Sequence, residues 1–191
     1  YIHALEKIVR KYKCQYLHGY PSVLYDFAQY CRQHPESRAM LSQYFKGAFL
    51  GSEYPYAHFR EEIERTFGLD TVSWYGHTER CVLAYEKNEK FRYNPFQTYG
   101  FTEVTGEGHL TGTSYYNRAS PLIRYDTEDT VTDSQKEEGL LYSFRLENGR
   151  SGQFITDRQG KNISLPRRIF GRNHRVFDYC STPQIQHQNP C

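Results

Sequence analysis

The sequence predicts an α/β fold in which a parallel α/β sheet portion is followed by a β-barrel-like portion and the beginning of a small α+β C-terminal domain. Apolar residues recur at helical spacing between short strand-like segments over the first ~75 residues, and period-two alternation replaces this pattern after Cys81. Aromatic residues make up 16% of the chain, which is enough for a core despite a mean hydropathy of −0.81. We expect the three portions to cover residues 1–90, 91–148 and 149–191.

Three helices and three strands are predicted to alternate in the first portion. The strand segments are "CQYLHG", "GAFLG" and "TVSWYG". The second helix lies between Ser22 and Pro35, and the third follows Pro55 and stops at Gly68. Strands that alternate with helices pair in parallel through right-handed crossovers, and ligands bind beyond their C-terminal ends. The helices are marked by the apolar residues Ile2, Leu5, Ile8, Val9 and Tyr12, then Val23, Leu24, Phe27, Ala28 and Cys31, and finally Phe59, Ile63 and Phe67.

Strands are predicted to dominate the rest of the chain. The segments "CVLAYE", "KFRYN", "GHLTGTSYYN", "LIRYDTEDTV" and "GLLYSFRL" are separated by Gly, Asn and Pro. A hairpin is predicted in "GQFITDRQGKNISL", with "DRQGK" as its turn, and a helix is predicted from Pro166 to Cys180.

Charge and cysteine usage argue against several classes of function. The 24 basic and 22 acidic residues leave a net charge of +2, which provides no general field for attracting nucleic acid. The basic segment "PRRIFGRNHR" is therefore interpreted as a solvated face and not as a nucleic-acid site. The 5 cysteines are scattered without a C-x-x-C pair, so they indicate a reducing compartment and neither a disulfide framework nor a zinc site.

The sequence predicts a cytoplasmic protein with no membrane span and no nucleic-acid partner. No apolar run approaches the ~20 residues that cross a bilayer, and no secretory leader is recognisable. The chain begins with Tyr1 and finishes in "QIQHQNPC" without a predicted closing element, so we expect a fragment of a longer protein.

Three stretches at predicted strand ends carry the candidate chemistry. They are "LGSEYP", "YGHTE" and "PLIRYDTED", and they supply close-approach glycines, an aromatic face, a hydroxyl and carboxylates. Such parts suit a nucleotide or acyl-phosphate ligand with Mg²⁺. Each stretch also has a purely structural interpretation. "LGSEYP" would be a turn whose Glu53 favours the dipole of the next helix, and "YGHTE" would supply a cap through Thr78 and Glu79. "PLIRYDTED" would be an ordinary charged hairpin.

The order of these stretches resembles the later half of an adenylate-forming ligase of the phenylacetate–CoA ligase branch and its capsular polysaccharide biosynthesis relatives called CapK. The resemblance runs through "LHGYPSVL", "FLGSEYP", "YGHTE", "PLIRYDTED" and "LENGR", and continues in "GRSGQFITDRQGKNISL" and "RIFGRNHRVFD". It implies an enzyme that joins a carboxylate to the α-phosphate of ATP, releases pyrophosphate and passes the acyl group to a thiol such as coenzyme A. Small-molecule carboxylates are the implied substrates.

The resemblance also implies a role for each matching residue. Tyr75 would stack on adenine and Asp129 would bind both ribose hydroxyls, while Thr78 would contact the α-phosphate or acyl-adenylate. Glu79 would hold Mg²⁺, and Arg150 would contact ribose or phosphate at a hinge. The remaining nucleotide-binding positions are Gly51, Ser52 and Glu53, as a wall near adenine, and Gly76.

Several parts of the sequence depart from the resemblance. A Ser/Thr/Gly-rich phosphate loop and a C-terminal lysine are missing, so we do not expect these 191 residues alone to be active. Glu128 stands where glycine is usual before Asp129, which adds negative charge beside the ribose position. His77 is either a substrate or phosphate contact or, as we favour, a tolerated polar residue, and Cys81 is interpreted as buried. The alternative function is a non-catalytic or degenerate relative that binds nucleotide weakly or acts as a scaffold.

Overall fold

The computed structural model of the protein describes residues 2–150, 154–156 and 162–164. The chain divides into two compact units, Tyr1–Gly152 and Gln153–Cys191. The division of the first unit near residue 90 stays a prediction. The helices are α1 (Ile2–Tyr12), α2 (Pro21–Gln33), α3 (Pro35–Ser42) and α4 (Ala57–Phe67). The strands are β1 (Tyr16–Gly19), β2 (Gly47–Leu50), β3 (Asp70–Gly76), β4 (Leu83–Glu86), β5 (Tyr93–Pro95), β6 (Gly100–Val104), β7 (His109–Ser114), β8 (Tyr125–Glu137), β9 (Leu140–Arg150), β10 (Phe154–Thr156) and β11 (Asn162–Ser164).

The strands β1 to β9 form one open sheet with the order β1-β2-β3-β4-β5-β9-β8-β7-β6. As predicted from their alternation with helices, β1, β2 and β3 pair in parallel, with Gly19 opposite Leu50 and Leu50 opposite Ser73. The later pairings in this sheet are antiparallel. The mixed α/β fold class is confirmed. The described strands do not close into a barrel, because β1 and β6 lie at opposite ends of the order.

The four helices pack against one face of the parallel strands. Both crossovers, from β1 to β2 and from β2 to β3, step in the same direction along the sheet, and right-handed connections then place their helices on the same side. As predicted, α4 stops at Gly68, whose φ of 68° is a left-handed conformation that glycine adopts without strain. The core on this face contains Val9, Leu24, Ala28, Cys31, Leu41, Phe45, Ala48, Leu50, Ile63, Phe67 and Leu69.

The structure differs from the predicted elements in three places. Helix α3 begins at Pro35, which the sequence indicated only as the stop of α2; proline suits the first helical position, where its missing N–H has no helical partner. Strand β6 was not predicted. In α1, Ile8 and Tyr12 are exposed, so the apolar stripe of that helix is narrower than its sequence suggested.

A buried ion pair joins α4 to the β3–β4 hairpin. Arg60, which is 2% exposed, donates from Nη1 and Nη2 to the two carboxylate oxygens of Glu86 at 2.6 and 2.8 Å. Arg60 Nε also donates to Thr71 Oγ1 at 2.8 Å. The backbone amides of Ser73 and Phe91 donate to Glu86. These partners offset the cost of removing two charges from water, and the pair fixes β3 against α4.

The described part of the second unit is an antiparallel pair. Strands β10 and β11 align Phe154 with Ser164 and Thr156 with Asn162, which confirms the strands of the predicted hairpin. Its turn at residues 157–161, the basic segment and the helix predicted from Pro166 to Cys180 lie outside the described residues.

The structure also bears on the inferences from cysteines and hydropathy. Cys14, Cys31 and Cys81 are free thiols, whereas Cys180 and Cys191 lie outside the described residues. Burial, followed by the charge of Glu6, raises the pKa of Cys31 to about 11, so this thiol stays protonated. Of the helices in the described ranges, none combines the length and the apolar character that crossing a membrane requires.

Candidate functional site

Two of the candidate stretches follow neighbouring strand ends, as predicted. Leu50 at the end of β2 lies opposite Ser73 in β3, so "GSE" and "YGHTE" emerge beside each other. Strand β3 continues to Gly76, which lies opposite Leu83 of the antiparallel strand β4. The third stretch reaches this region from β8, on the far side of β4, β5 and β9.

A hydrogen bond between Tyr75 and Asp129 joins the second stretch to the third. The Tyr75 hydroxyl donates to Asp129 Oδ2 at 2.5 Å across 54 positions of the sequence. The Tyr75 ring packs edge-on against Phe144 at 5.8 Å and lies 6.2 Å from the ring of Tyr93. Since Phe144 and Tyr93 are buried, the core fixes the Tyr75 ring, and its hydroxyl in turn orients the Asp129 carboxylate.

Asp129 lies in a bulge of the long strand β8, which forms an antiparallel hairpin with β9, so the stretch "RYDTED" belongs to a hairpin whose strand is irregular at Asp129. The register between β7 and β8 passes from Thr111 opposite Asp126 to His109 opposite Thr130, which leaves extra residues on β8. A second irregularity between β8 and β9 begins at Asp129. Bulges bend a strand and redirect its side chains, and this one aims Asp129 at β3.

Short-range hydrogen bonds hold this bulge in shape. Asp126 Oδ1 accepts the backbone amide of Glu128 at 2.8 Å. Thr127 Oγ1 accepts the amide of Asp129 at 3.3 Å and donates to the carbonyl of Leu110 at 2.9 Å. Glu128 has a φ of 61°, in the left-handed region that glycine favours. The glycine that the resemblance places at this position would therefore adopt the observed backbone with less strain.

The Glu79 carboxylate is contacted by three neighbouring side chains. Tyr125 donates its hydroxyl to Oε1 at 3.3 Å and Thr78 donates to Oε2 at 3.2 Å, while His77 Nδ1 lies 3.2 Å from Oε2. Hydrogen bonding from its own backbone amide, followed by the Thr78 bond and the nearby His77, keeps the pKa of Glu79 below its usual value. Glu79 is therefore an anionic oxygen donor, and its side chain is 36% exposed.

The structure gives His77 and Tyr125 contacts that sequence reasoning did not predict. The His77 side chain is only 11% exposed, and its ring lies 6.0 Å from that of Tyr75 and 6.1 Å from that of Tyr125. His77 is thus packed among aromatic rings next to Glu79, and its favoured interpretation as a tolerated polar residue stays a prediction. Tyr125 stands inside the stretch that the sequence singled out, and its position directly before "DTED" was the signal that could have identified it.

The first stretch contacts both sides of the sheet. A Cβ at Gly51 would lie 2.2 Å from Trp74 Nε1, so only glycine fits beneath this indole. Ser52 follows with a left-handed φ of 69°. Glu53 Oε2 accepts the backbone amide of Ser22 at 3.2 Å, in the first turn of α2. The Glu53 carboxylate therefore lies at the N-terminal end of α2, where a negative charge favours the helix dipole. It was predicted to favour the dipole of the helix that follows it in sequence, α4, whose first turn holds no acidic residue.

The remaining predicted residues lie close to the Tyr75–Asp129 contact or beside it in the sheet. Gly76 follows Tyr75 on β3, and Thr78 bonds Glu79. Arg150 is described by its strand register alone, which places it opposite Asp129 on the neighbouring strand. Cys81 is fully buried, which confirms its predicted role as a small apolar residue, and burial raises the pKa of its thiol.

The Glu79 carboxylate is suited to act as a ligand for a Mg²⁺ ion that binds together with a phosphate-containing substrate. Within the described ranges, no group of three or more His, Cys, Asp or Glu side chains is arranged to hold a metal ion. Mg²⁺ in nucleotide sites uses one or two carboxylates and takes its other ligands from phosphates and water. A single, partly exposed and ionised carboxylate such as Glu79 meets that requirement.

Solved acyl-CoA ligases share the fold of this chain. No protein-family model and no curated protein matches the sequence. A 2-hydroxyisobutyryl-CoA ligase in the postadenylation state with R3-HIB-AMP is matched with a TM-score of 0.63 and 23% identity, over 86% of this chain and 38% of that one. An open conformation of the same ligase with 2-HIB-AMP and CoA is matched with a TM-score of 0.60 and 22% identity, over 86% of this chain and 42% of that one.

A variant of coronafacic acid ligase from Pectobacterium brasiliense is matched with a TM-score of 0.53 and 13% identity, over 85% of this chain and 34% of that one. The chain thus spans about two-fifths of the length of the 2-hydroxyisobutyryl-CoA ligase, at 38% and 42% in its two structures. At these identities, the likeness shows a shared fold.

Proposed function

We propose that this chain supplies the adenosine-binding site of an AMP-forming carboxylate ligase. The observation that carries the proposal is the 2.5 Å hydrogen bond from Tyr75 to Asp129, which brings an aromatic face and a carboxylate together across 54 positions. The shared fold with a ligase crystallised in the postadenylation state supports the same reaction class.

The reaction would take place in two transfers. A carboxylate oxygen of the substrate attacks the α-phosphorus of ATP, the bond to the bridging oxygen breaks, and pyrophosphate leaves. The thiol of coenzyme A then loses its proton to solvent and attacks the acyl carbon, the bond from that carbon to the phosphate oxygen breaks, and AMP leaves as the thioester forms. Because the first step brings two anions together, catalysis depends on positioning and on neutralising phosphate charge.

Recognition of adenosine is assigned to Tyr75, Asp129 and the two glycine-containing turns. The Tyr75 ring stacks on adenine, and the Asp129 carboxylate accepts hydrogen bonds from the ribose hydroxyls. Gly51, Ser52 and Glu53 form the wall near adenine, and Gly76 permits close approach of the backbone. The bulge in β8 supports this assignment, since it aims Asp129 at the strand that carries Tyr75.

The phosphate end of the site is assigned to Thr78, Glu79 and Arg150. Thr78 contacts the α-phosphate or the acyl-adenylate, and Arg150 contacts ribose or phosphate from its position opposite Asp129. Glu79 would hold Mg²⁺, which when bound neutralises the phosphate oxygens. His77 and Tyr125 orient the Glu79 carboxylate through their contacts with it.

The finer classification rests on the sequence motifs. We propose the phenylacetate–CoA ligase/CapK branch, a small-molecule carboxylate as substrate and coenzyme A as acceptor, in the cytoplasm. The free thiols of Cys14, Cys31 and Cys81 support the location. The competing function, a degenerate relative that binds nucleotide weakly, is favoured by Glu128, which places a carboxylate next to Asp129 in a conformation suited to glycine.

Pyrophosphate release by the full-length gene product, tested with ATP, Mg²⁺ and a panel of carboxylic acids, distinguishes the two functions. A ligase releases pyrophosphate only with its own acid, and D129A lowers that rate at least ~100-fold because ribose positioning is lost. D133A removes another aspartate of β8 and leaves the rate unchanged. Absence of acid-dependent release, or equal rates for D129A and D133A, contradicts the ligase assignment.

A further inference from the structure

The side of α1 that faces solvent combines basic and apolar residues. Val9 packs into the core at 1% exposure, whereas Ile8 is 49% exposed and Tyr12 is 66% exposed. With about 3.6 residues per turn, Lys7 and Lys11 lie on the side opposite Val9. Ile8 and Tyr12 lie along the flank beside Lys11. This surface, called here the α1 surface, consists of Lys7, Ile8, Arg10, Lys11 and Tyr12.

The positive charge of the chain is concentrated around this helix. Residues 1–20 hold 4 of the 24 basic residues and 1 of the 22 acidic residues, for a net charge of +3. The remaining chain, with 20 basic and 21 acidic residues, has a net charge of −1. Such asymmetry between parts of a sequence is typical of segments that contact a membrane or a nucleic acid. A nearly neutral protein therefore carries a local site for anions.

Contacts within the protein do not account for this charge. Among the described residues, the ion pairs include neither Lys7 nor Lys11, and Glu6 of α1 pairs with His3. The helix macrodipole favours Arg10 and Lys11 in the last turn but does not reach Lys7 in the middle of the helix. Because burial of unpaired charges is costly, the α1 surface stays in contact with water or with an anionic partner.

The α1 surface lies at the edge of the sheet away from the candidate site. Helix α1 ends at Tyr12 and leads into the N-terminal end of β1. The Lys46 amide donates to the Gln15 carbonyl at 2.7 Å, which adds a further exposed lysine at this edge. The candidate site follows the opposite ends of the parallel strands, beyond Leu50 and Gly76. A partner bound to α1 therefore leaves the candidate site accessible.

The two exposed apolar residues favour a membrane over a nucleic acid as the partner. The Ile8 side chain gains nothing from phosphate groups, but it leaves water when it enters the boundary between lipid headgroups and acyl chains. The Lys11 ammonium lies 5.1 Å from the centroid of the Tyr12 ring. Tyrosine is enriched at this boundary, and lysine is attracted to anionic headgroups beside it. The α1 surface thus matches both the charge and the polarity of an anionic bilayer surface.

We propose that the α1 surface binds the anionic surface of a phospholipid bilayer. Its basic residues contact headgroup phosphates, and Ile8 and Tyr12 enter the interface beside them. Lys7 and Lys11 are ~6 Å apart along the helix axis, within the ~10 Å over which charges act together at ~0.1 M salt. The other side of α1 stays packed in the core, so the contact is peripheral and weakens as the salt concentration rises.

Vesicle flotation of the full-length protein tests this inference. The vesicles consist of phosphatidylcholine alone or of an equimolar mixture with phosphatidylglycerol, and we expect at least ~10-fold tighter binding to the mixture. K7Q/K11Q should weaken that binding at least ~10-fold, because each removed charge costs about fivefold in affinity. The control K87Q/K136Q removes two exposed lysines outside α1 and should leave binding unchanged.

A second pair of variants tests the apolar part of the surface. I8N should weaken binding to the mixed vesicles at least ~3-fold, because Ile8 no longer enters the interface. V23N removes an exposed apolar residue of α2 and should leave binding unchanged. Circular dichroism of each variant should show the helix content of the parent, which separates a lost contact from a lost fold.

Four results would overturn the inference. They are equal binding to the two kinds of vesicle, equal losses in K7Q/K11Q and K87Q/K136Q, equal effects of I8N and V23N, and tighter binding to a single-stranded RNA than to the mixed vesicles. The last result would assign the α1 surface to nucleic acid. Neither ATP nor a carboxylic acid is present, so the outcome is independent of the proposed ligase activity.

Discussion

At the scale of single residues, the candidate site depends on side chains held in place by the surrounding core. Tyr75 rests on Phe144, and its hydroxyl reaches Asp129, while Tyr125 and His77 contact Glu79. The types and order of the assigned residues could be predicted from the sequence. Their contacts could not, because Tyr75 and Asp129 are 54 positions apart and meet only through strand pairing and a bulge.

The Tyr75 hydroxyl should contribute to stability as well as to the geometry of the site. Y75F removes a donor to a carboxylate, and a hydrogen bond to a charged group contributes about 1.5–3 kcal/mol, less where water replaces it. We expect the free energy of unfolding in urea to fall by about 1 kcal/mol. Y142F, which removes a hydroxyl from an exposed tyrosine, should change it by less than ~0.5 kcal/mol. Equal effects of the two substitutions would show that the Tyr75–Asp129 contact stabilises nothing.

The backbone at Glu128 should tolerate glycine where another strand position does not. Because its φ is 61°, E128G relieves a strain of about 1 kcal/mol and offsets the flexibility that glycine adds to the unfolded chain. The free energy of unfolding of E128G should therefore equal or exceed that of the parent protein. The matched change E137G, at the end of the same strand, should cost about 0.5–1 kcal/mol. A loss at Glu128 as large as at Glu137 contradicts this account.

At the scale of the elements, β3 is the strand on which the site depends. It carries Tyr75 at its end and is fixed against α4 by the Arg60–Glu86 pair. The periodicity of "FREEIERTFG" predicted α4 but not that its Arg60 would be buried, since helical spacing alone assigns a charged residue to the solvent side. Helix α3 and strand β6 were missed because both are short and lack a strong apolar period.

Removal of Arg60 should be among the most damaging single changes in the chain. R60M leaves the Glu86 carboxylate buried without its cation, and breaking a buried pair in this way costs about 3–5 kcal/mol. R65M, in the same helix but 68% exposed, should cost less than ~1 kcal/mol. Urea denaturation followed by circular dichroism measures both. If the two variants unfold at similar urea concentrations, the buried pair does not hold β3 against α4.

The pairing of β7 with the bulged strand β8 should depend on pH through His109 and Asp126. Hydrogen bonding to Asp126 raises the pKa of His109 above 6.5, and the same bond lowers the pKa of Asp126 below 3.8. The histidine contribution is present below its unfolded pKa and is lost as the pH rises through the folded value. The aspartate contribution is present above its unfolded pKa and is lost as the pH falls through the folded value.

The His109–Asp126 pair therefore stabilises the fold most between pH 3.8 and 6.5. H109Q should lower the melting temperature more near pH ~5.5 than near pH ~9. In a D126N background, the same substitution should show a much smaller difference between the two pH values, because Asp126 makes the largest contribution to the raised pKa of His109. A pH-dependent effect of H109Q that persists undiminished in D126N would assign it to another partner.

At the scale of the whole molecule, the sequence predicted the fold class and the parallel order of its first three strands. It did not predict that β3 continues into antiparallel pairing with β4, so that strands β1 to β9 share one sheet. This continuity brings residues from β3, β8 and β9 to one region, because β4, β5 and β9 lie side by side between β3 and β8. Local periodicity carries no information about which strands become neighbours.

The central claim is that Tyr75, Glu79 and Asp129 surround an adenine nucleotide. Calorimetric titration of the full-length protein with AMP, performed on the parent, D129A and D133A, tests it most directly. We predict saturable binding by the parent, at least about tenfold weaker binding by D129A because two ribose hydrogen bonds are lost, and unchanged binding by D133A. No binding by the parent, or equal affinities for all three proteins, would contradict the claim.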